Sequence, residues 1–127
     1  MFRTLFCWLA CAVPAMADGN AEHGRMLMLE PQESLCVLCH SGPFPEIPFM
    51  GTLAPDLSDV GSRLSIDEIR ARIIDNRAFN PDTIMPPFLS QEGLNQVGTR
   101  WAQTSILTEQ EVEDIATFLA SLNGDQP

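Results

Sequence analysis

The pentapeptide Cys36-Val37-Leu38-Cys39-His40 limits what this chain can become more than any other stretch of it. Two thiols held two residues apart, with an imidazole directly after the second, suit covalent capture of a porphyrin. Each sulfur adds to one vinyl group and the histidine reaches the iron. The same thiols have two other readings. A thioredoxin-like dithiol belongs in a strand-helix-strand unit, which the flanking sequence does not suggest. A zinc site needs at least one further Cys or His, and His23 is the only spare histidine. The reading that uses all three residues is one haem c, attached through Cys36 and Cys39, with His40 as an axial ligand of its iron.

Cys7 and Cys11, the other two cysteines, fall in an N-terminal stretch ordered like a secretory signal: Arg3, an apolar run from Leu5 through Val13, then Ala15-Met16-Ala17. Residues 1–17 are expected to be removed, leaving 18–127 as a single domain. The apolar run is well short of the roughly 20 residues a membrane span needs, so the expected product is exported and soluble. Cys11 after Leu9-Ala10 also matches a lipoprotein site, a less complete signal than Ala-x-Ala. With the leader gone, six arginines and no lysine stand against 17 acids, a formal charge of −11. That field repels nucleic acid and anionic membrane, and it favours a basic or apolar protein partner.

Three segments carry helical periodicity, and none alternates as a strand. The first, 20–29, places Ala21, Gly24, Leu27 and Met28 on one face. Gly24 costs a helix about 1 kcal/mol relative to alanine, which points to another helix crossing closely there. The second begins at Ser65, which forms a capping box with Glu68, and offers Ile66, Ile69 and Ile73 as its buried stripe. The third begins with the Thr108/Glu111 box. It buries Val112, Ile115, Phe118, Leu119 and Leu122, leaves Glu113, Asp114, Thr117 and Ser121 to solvent, and stops at Asn123-Gly124. Between the last two helices, segment 80–107 carries Pro81, Pro86, Pro87, Gly93 and Gly98. A loop of that length in a small domain is usually packed around something, here the haem.

Iron bound by one histidine needs a second ligand from the opposite face, and thioether sulfur is a known partner. Met26 and Met28 lie on the first helix, where methionine is normally a core filler. Met50 follows His40 by ten residues and shares its loop. Met85 lies 45 residues on, in Thr83-Ile84-Met85-Pro86-Pro87, a stiff turn with enough chain before it to wrap the porphyrin edge. Met85 is therefore the expected axial ligand. With both thiols consumed and both axial positions filled, the chain has no nucleophile and no open iron site, which leaves electron transfer as its role.

This organisation resembles class I cytochromes c, an all-α fold of three main helices and long loops around one haem. That family places a proline, here Pro55, so that its carbonyl accepts the Nδ1 hydrogen of the ligating histidine. It commonly has glycine before that proline, where this chain has Ala54. The resemblance also implies that the first and third helices cross, with Gly24 and Phe118 as contacts. More narrowly, several segments in this order resemble the SoxX family. They are Leu53-Ala54-Pro55-Asp56-Leu57, Val60-Gly61-Ser62-Arg63, Asn80-Pro81-Asp82-Thr83-Ile84-Met85-Pro86-Pro87-Phe88, Glu92-Gly93-Leu94, Ile106-Leu107-Thr108 and Glu111-Val112-Glu113-Asp114-Ile115. The family usually has tyrosine just after the methionine loop, where this chain reads Phe88-Leu89.

SoxX is the monohaem subunit of the thiosulfate-oxidising SoxAX complex. The resemblance therefore implies a periplasmic cytochrome c domain in a heterodimer with a larger, haem-bearing SoxA-type subunit. The whole acts as an L-cysteine S-thiosulfotransferase: thiosulfate is joined oxidatively to a cysteine of a carrier protein, and the electrons pass to an acceptor c-type cytochrome. Two other readings compete, a free-standing electron shuttle and a gas-binding or peroxidatic haem protein. The apolar run 44–50, directly after the haem motif, fits either a partner surface or a cap on the haem pocket.

Overall fold

A computed structural model describes residues 18–125, and the expected leader, 1–17, lies outside them. The described residues form α-helices and short 3-10 turns without a strand. The helices are α1 (Ala21–Leu29), α2 (Val60–Arg63), α3 (Ile66–Asp75) and α4 (Glu109–Ala120). None is long and apolar enough to cross a membrane.

Each long helix starts where its cap residue dictates. The side chain of Asn20 accepts from the His23 N–H, and Ser65 and Thr108 both close complete capping boxes with Glu68 and Glu111. Such caps are worth about 1 kcal/mol each because they satisfy N–H groups that have no partner within the helix. The fourth helix, α2, is a single turn that periodicity alone does not reveal.

Helices α1 and α4 cross with almost no side chain between them. A Cβ on Gly24 would lie 2.0 Å from the Asp114 carbonyl oxygen, so only glycine permits the approach. Phe118 packs one turn further on against Phe44, with ring centroids 6.1 Å apart and a tilt of 38°. Leu27, Met28, Ile69, Ile73, Val112, Ile115, Leu119 and Leu122 complete the core.

Three sequence expectations need correction. Ile66 is 36 % exposed, so the buried stripe of α3 is Ile69 and Ile73 alone. Met26 is exposed, leaving Met28 as the core methionine of α1. On α4, Glu113 and Asp114 are buried, because α1 and α3 both pack on that helix and cover its polar side. Arg70 from α3 pairs with Glu113, and its Nη2 donates to Oε2 over 2.9 Å. The Asp114 carboxylate accepts from the Asn20 N–H at 2.7 Å, from His23 Nδ1 at 2.6 Å and from Gln110 at 2.9 Å. Desolvation works against its charge, yet these donors hold its carboxyl below the ordinary value.

Candidate functional site

After α1 the chain turns at a buried Ser34, whose hydroxyl donates to the Leu27 carbonyl over 2.8 Å. Leu35 follows in the left-handed region at φ 62°, and Cys36–Leu38 form one 3-10 turn. The Cys39 and His40 N–H groups both donate to the Cys36 carbonyl, at 3.1 and 2.9 Å. The motif is thus wound into a single tight turn. Cys36 and Cys39 are not joined to each other in a disulfide, and without haem burial pushes the Cys36 thiol up from its ordinary value. A thiol kept protonated is a poor redox thiolate. Among the described residues no three His, Cys, Asp or Glu side chains gather as a metal cluster. His23 sits on α1, engaged with Asp114.

The loop after the motif folds back onto it through main-chain bonds. The Gly51, Ala54 and Leu57 N–H groups donate to the carbonyls of Val37, Cys39 and Ser41 over 2.9, 3.0 and 2.9 Å. Gly51 lies so close that a Cβ would stand 2.0 Å from the Leu38 carbonyl oxygen. This fold-back sets the Pro55 carbonyl 2.7 Å from His40 Nδ1. A carbonyl only accepts, so Nδ1 carries the hydrogen and the lone pair lies on Nε2, the state an imidazole needs to bind a metal. Ala54 in place of the family glycine leaves this bond intact. Within segment 44–50, Phe44 is buried in the core while Phe49 is 92 % exposed, so the run divides between cap and surface.

The methionine wall comes from segment 80–107, which is irregular apart from the 3-10 turn Thr99–Trp101. It is tied to α3 by Phe88 and Leu89, whose N–H groups donate to Ile73 and Ile74 over 3.2 and 3.4 Å, and to its own end by Leu107 N–H to the Phe88 carbonyl at 2.9 Å. The Met85 N–H donates to Thr83 Oγ1 at 3.2 Å, and the same hydroxyl oxygen accepts from Asn76 Nδ2 at 3.0 Å.

These elements converge on one crevice. Cys36, His40 and Met85 line it together with Met28, Leu57, Ile73, Phe88, Leu107, Ile115 and Leu119. Met50 packs on the core and is not among the lining residues. A larger apolar cavity of about 460 Å³ lies beside the crevice, walled by Leu35, Pro86, Pro87 and Ile106, each a chain neighbour of a crevice residue or next to one. The donor set within the apolar walls is one thiol, Cys36, an imidazole with its Nε2 lone pair free, and a thioether; the second thiol, Cys39, caps the same 3-10 turn and is not among the lining residues. That is the chemistry a covalently held haem requires. Sequence reasoning alone did not find Leu57, Phe88 and Leu107 as walls, nor the Asn76–Thr83 link behind Met85. The first three lie outside any periodic pattern, and the link pairs residues that read as ordinary turn formers.

A family model described as cytochrome c matches residues 21–123, so the chain belongs to the cytochrome c family and carries covalently bound haem c. Its fold is that of class I, and its role is electron transfer. Among solved structures the chain is similar to SoxXA from P. pantotrophus, with 30% identity, 84% of each chain covered and a TM-score of 0.79. It is a SoxX-type cytochrome, with one haem. The c-type cytochrome SorU from Sinorhizobium meliloti shares the fold at 22% identity and a TM-score of 0.52, over 82% of this chain and 91% of the other. No curated protein sequence matches it.

Proposed function

We propose that this chain is the electron-transfer subunit of a periplasmic, thiosulfate-oxidising complex of the SoxAX type, exported by residues 1–17. The observation that carries the reading is the similarity to the SoxXA structure over 84% of each chain. The partner would be a larger haem-bearing subunit. The two together act as an L-cysteine S-thiosulfotransferase on a carrier-protein cysteine and pass electrons to an acceptor cytochrome. Joining a thiol to thiosulfate forms one S–S bond and releases one proton and two electrons. This chain, with one haem, takes the electrons singly.

Within the chain, Cys36 and Cys39 are the residues that would attach the haem, and His40 and Met85 those that would hold its iron. When bound, the haem supplies a one-electron couple. The residues hold that couple in place. The Pro55 carbonyl fixes the proton of His40 on Nδ1 and orients the ring. Thr83 holds the Met85 main chain. Ile73, Phe88, Ile115 and Leu119 exclude water.

Two measurements test this. Co-expression with the larger subunit should yield a stable heterodimer that oxidises thiosulfate onto the carrier, whereas purification of this chain as an active monomer from thiosulfate-grown cells counts for the free shuttle. In the oxidised holoprotein, the weak long-wavelength sulfur-to-iron band should be present and should vanish in Met85→Ala. The reduced variant should then bind carbon monoxide. Ready binding of carbon monoxide by the reduced wild type at neutral pH would rule out Met85 as ligand and favour a gas-binding protein.

A further inference from the structure

Among the described residues, two other than glycine hold a positive φ, Leu35 at 62° and Gln96 at 55°. The left-handed region crowds Cβ against the following carbonyl oxygen and disfavours a residue with a side chain by roughly a factor of ten. Gln96 turns in an exposed loop, where its polar side chain stays in water. Leu35 is bulky and apolar, and it stands directly before the first cysteine of the motif. Its backbone has little choice. On one side Ser34 is buried, with its hydroxyl on the Leu27 carbonyl, and on the other the Leu35 carbonyl accepts the Leu38 N–H over 3.1 Å to open the motif turn. Glycine would take the same conformation without cost. Leucine there is a local penalty that the backbone does not require, so its reason lies in the side chain.

That side chain lines the cavity of about 460 Å³ beside the crevice, together with Pro86, Pro87, Leu94, Val97 and Ile106. Three of these walls adjoin crevice residues along the chain: Leu35 precedes Cys36, Pro86 follows Met85, and Ile106 precedes Leu107. A porphyrin joined to Cys36 and lying between His40 and Met85 therefore turns its Cys36-side edge toward this cavity. Leu35 is 40 % exposed, so it stands where the cavity meets solvent.

We propose that Leu35 is kept in its strained conformation to cover the Cys36-side edge of the haem, and that this cover raises the reduction potential by keeping water from that edge. Oxidised iron carries one more positive charge than reduced iron, and water at the haem edge favours the charged state. An apolar side chain in the same place favours the reduced one. The inference rests on the haem that family membership brings, and is independent of which complex the chain joins.

The haem-loaded chain carrying Leu35→Gly or Leu35→Ala tests the cover and the strain separately. Both variants remove the cover, so in both the potential should fall, lowering the ratio of reduced to oxidised protein about threefold at a fixed applied potential, or about 28 mV at 59 mV per tenfold for one electron. Only glycine relieves the backbone. Leu35→Gly should therefore be the more stable of the two, by about fivefold in the ratio of folded to unfolded protein, the reverse of their order in a helix or strand. Leu35→Met, which keeps an apolar cover, should keep the wild-type potential. A wild-type potential in both truncated variants overturns the proposal, and is what a leucine serving only as packing or as a partner contact would give. Greater stability of Leu35→Ala than of Leu35→Gly overturns it as well, because the conformation is then unstrained. Should Leu35→Ala fail to fold, Leu35→Gly against Leu35→Met decides: equal potentials refute the cover, and a lower potential in Leu35→Gly supports it.

Discussion

On the histidine wall of the crevice, three main-chain hydrogen bonds of 2.9 to 3.0 Å return the loop 51–57 onto the motif, and the contact to His40 is itself a carbonyl, that of Pro55. On the methionine wall the main-chain ties to α3 are longer, at 3.2 to 3.4 Å, and Met85 is held through side chains, Thr83 and behind it Asn76 and Arg72. A wall built from backbone tolerates exchange of side chains, provided no Cβ intrudes; Ala54 for glycine shows this. A wall built from side chains changes its ligand geometry and its field with each substitution. The first suits a ligand that must also follow the attachment motif, the second a ligand through which the haem's properties are tuned.

The largest effect should come from breaking the backbone wall at the one place where it is tight. In Gly51→Ala the added Cβ meets the Leu38 carbonyl at 2.0 Å, and backbone cannot yield as a side-chain tip does. The expected loss is about 3 kcal/mol, at the upper end of overpacking costs, read as a lower denaturant midpoint with unchanged slope. Attachment of haem should suffer as well, because the displaced segment carries the Pro55 carbonyl. A stability within about 0.5 kcal/mol of wild type would mean that the fold-back is looser than its hydrogen bonds suggest.

Thr83→Val should weaken the other wall by less and change it in kind. The substitution keeps the shape but removes the oxygen that serves both the Met85 N–H and Asn76 Nδ2. Leaving such donors unsatisfied costs about 1 to 2 kcal/mol. The sensitive readout is the ligand: carbon monoxide should bind the reduced variant measurably while the wild type excludes it. If Thr83→Val is indistinguishable from wild type in both respects, Met85 is held by packing alone and the contrast between the walls fails.

How far the sequence already showed this arrangement depends on whether the cause was local. The capped starts of α1, α3 and α4 were legible because a cap is a matter of three or four consecutive residues. The need for glycine at position 24 was legible because its cost in a helix is local, and its reason, the Asp114 backbone, was not. Helical periodicity assigns one buried stripe and so leaves Glu113 and Asp114 facing solvent. Burial of their face follows from two other helices, α1 and α3, that bring Arg70, Asn20 and His23 to satisfy them. At the site, Cys36, Cys39, His40 and Met85 stood out by residue type and spacing. The Arg72–Asn76–Thr83 chain did not, because α3 and a loop seven residues on meet only in three dimensions.

The smallest expected effect separates the little that side chains add to the histidine wall from what its backbone provides. Asp56 accepts from the Ser41 hydroxyl at 2.6 Å and from the Ser58 N–H at 2.8 Å, and these bonds hold its carboxyl below its ordinary value of 3.8. A carboxyl lowered by folding stabilises the fold when ionised. Its contribution is complete above about pH 4 and is lost as pH falls through the lowered value. Asp56 is exposed, so the contribution should stay below about 1 kcal/mol. Asp75 and Asp114 are lowered too and add to acid sensitivity, so wild type must be compared with Asp56→Asn. The stability difference between the two should be small and constant near neutrality and should shrink below about pH 4. A difference above 2 kcal/mol would mean that this wall, like the methionine wall, depends on a side chain. A difference with no pH dependence would mean that the serine contacts do not act through the carboxylate charge.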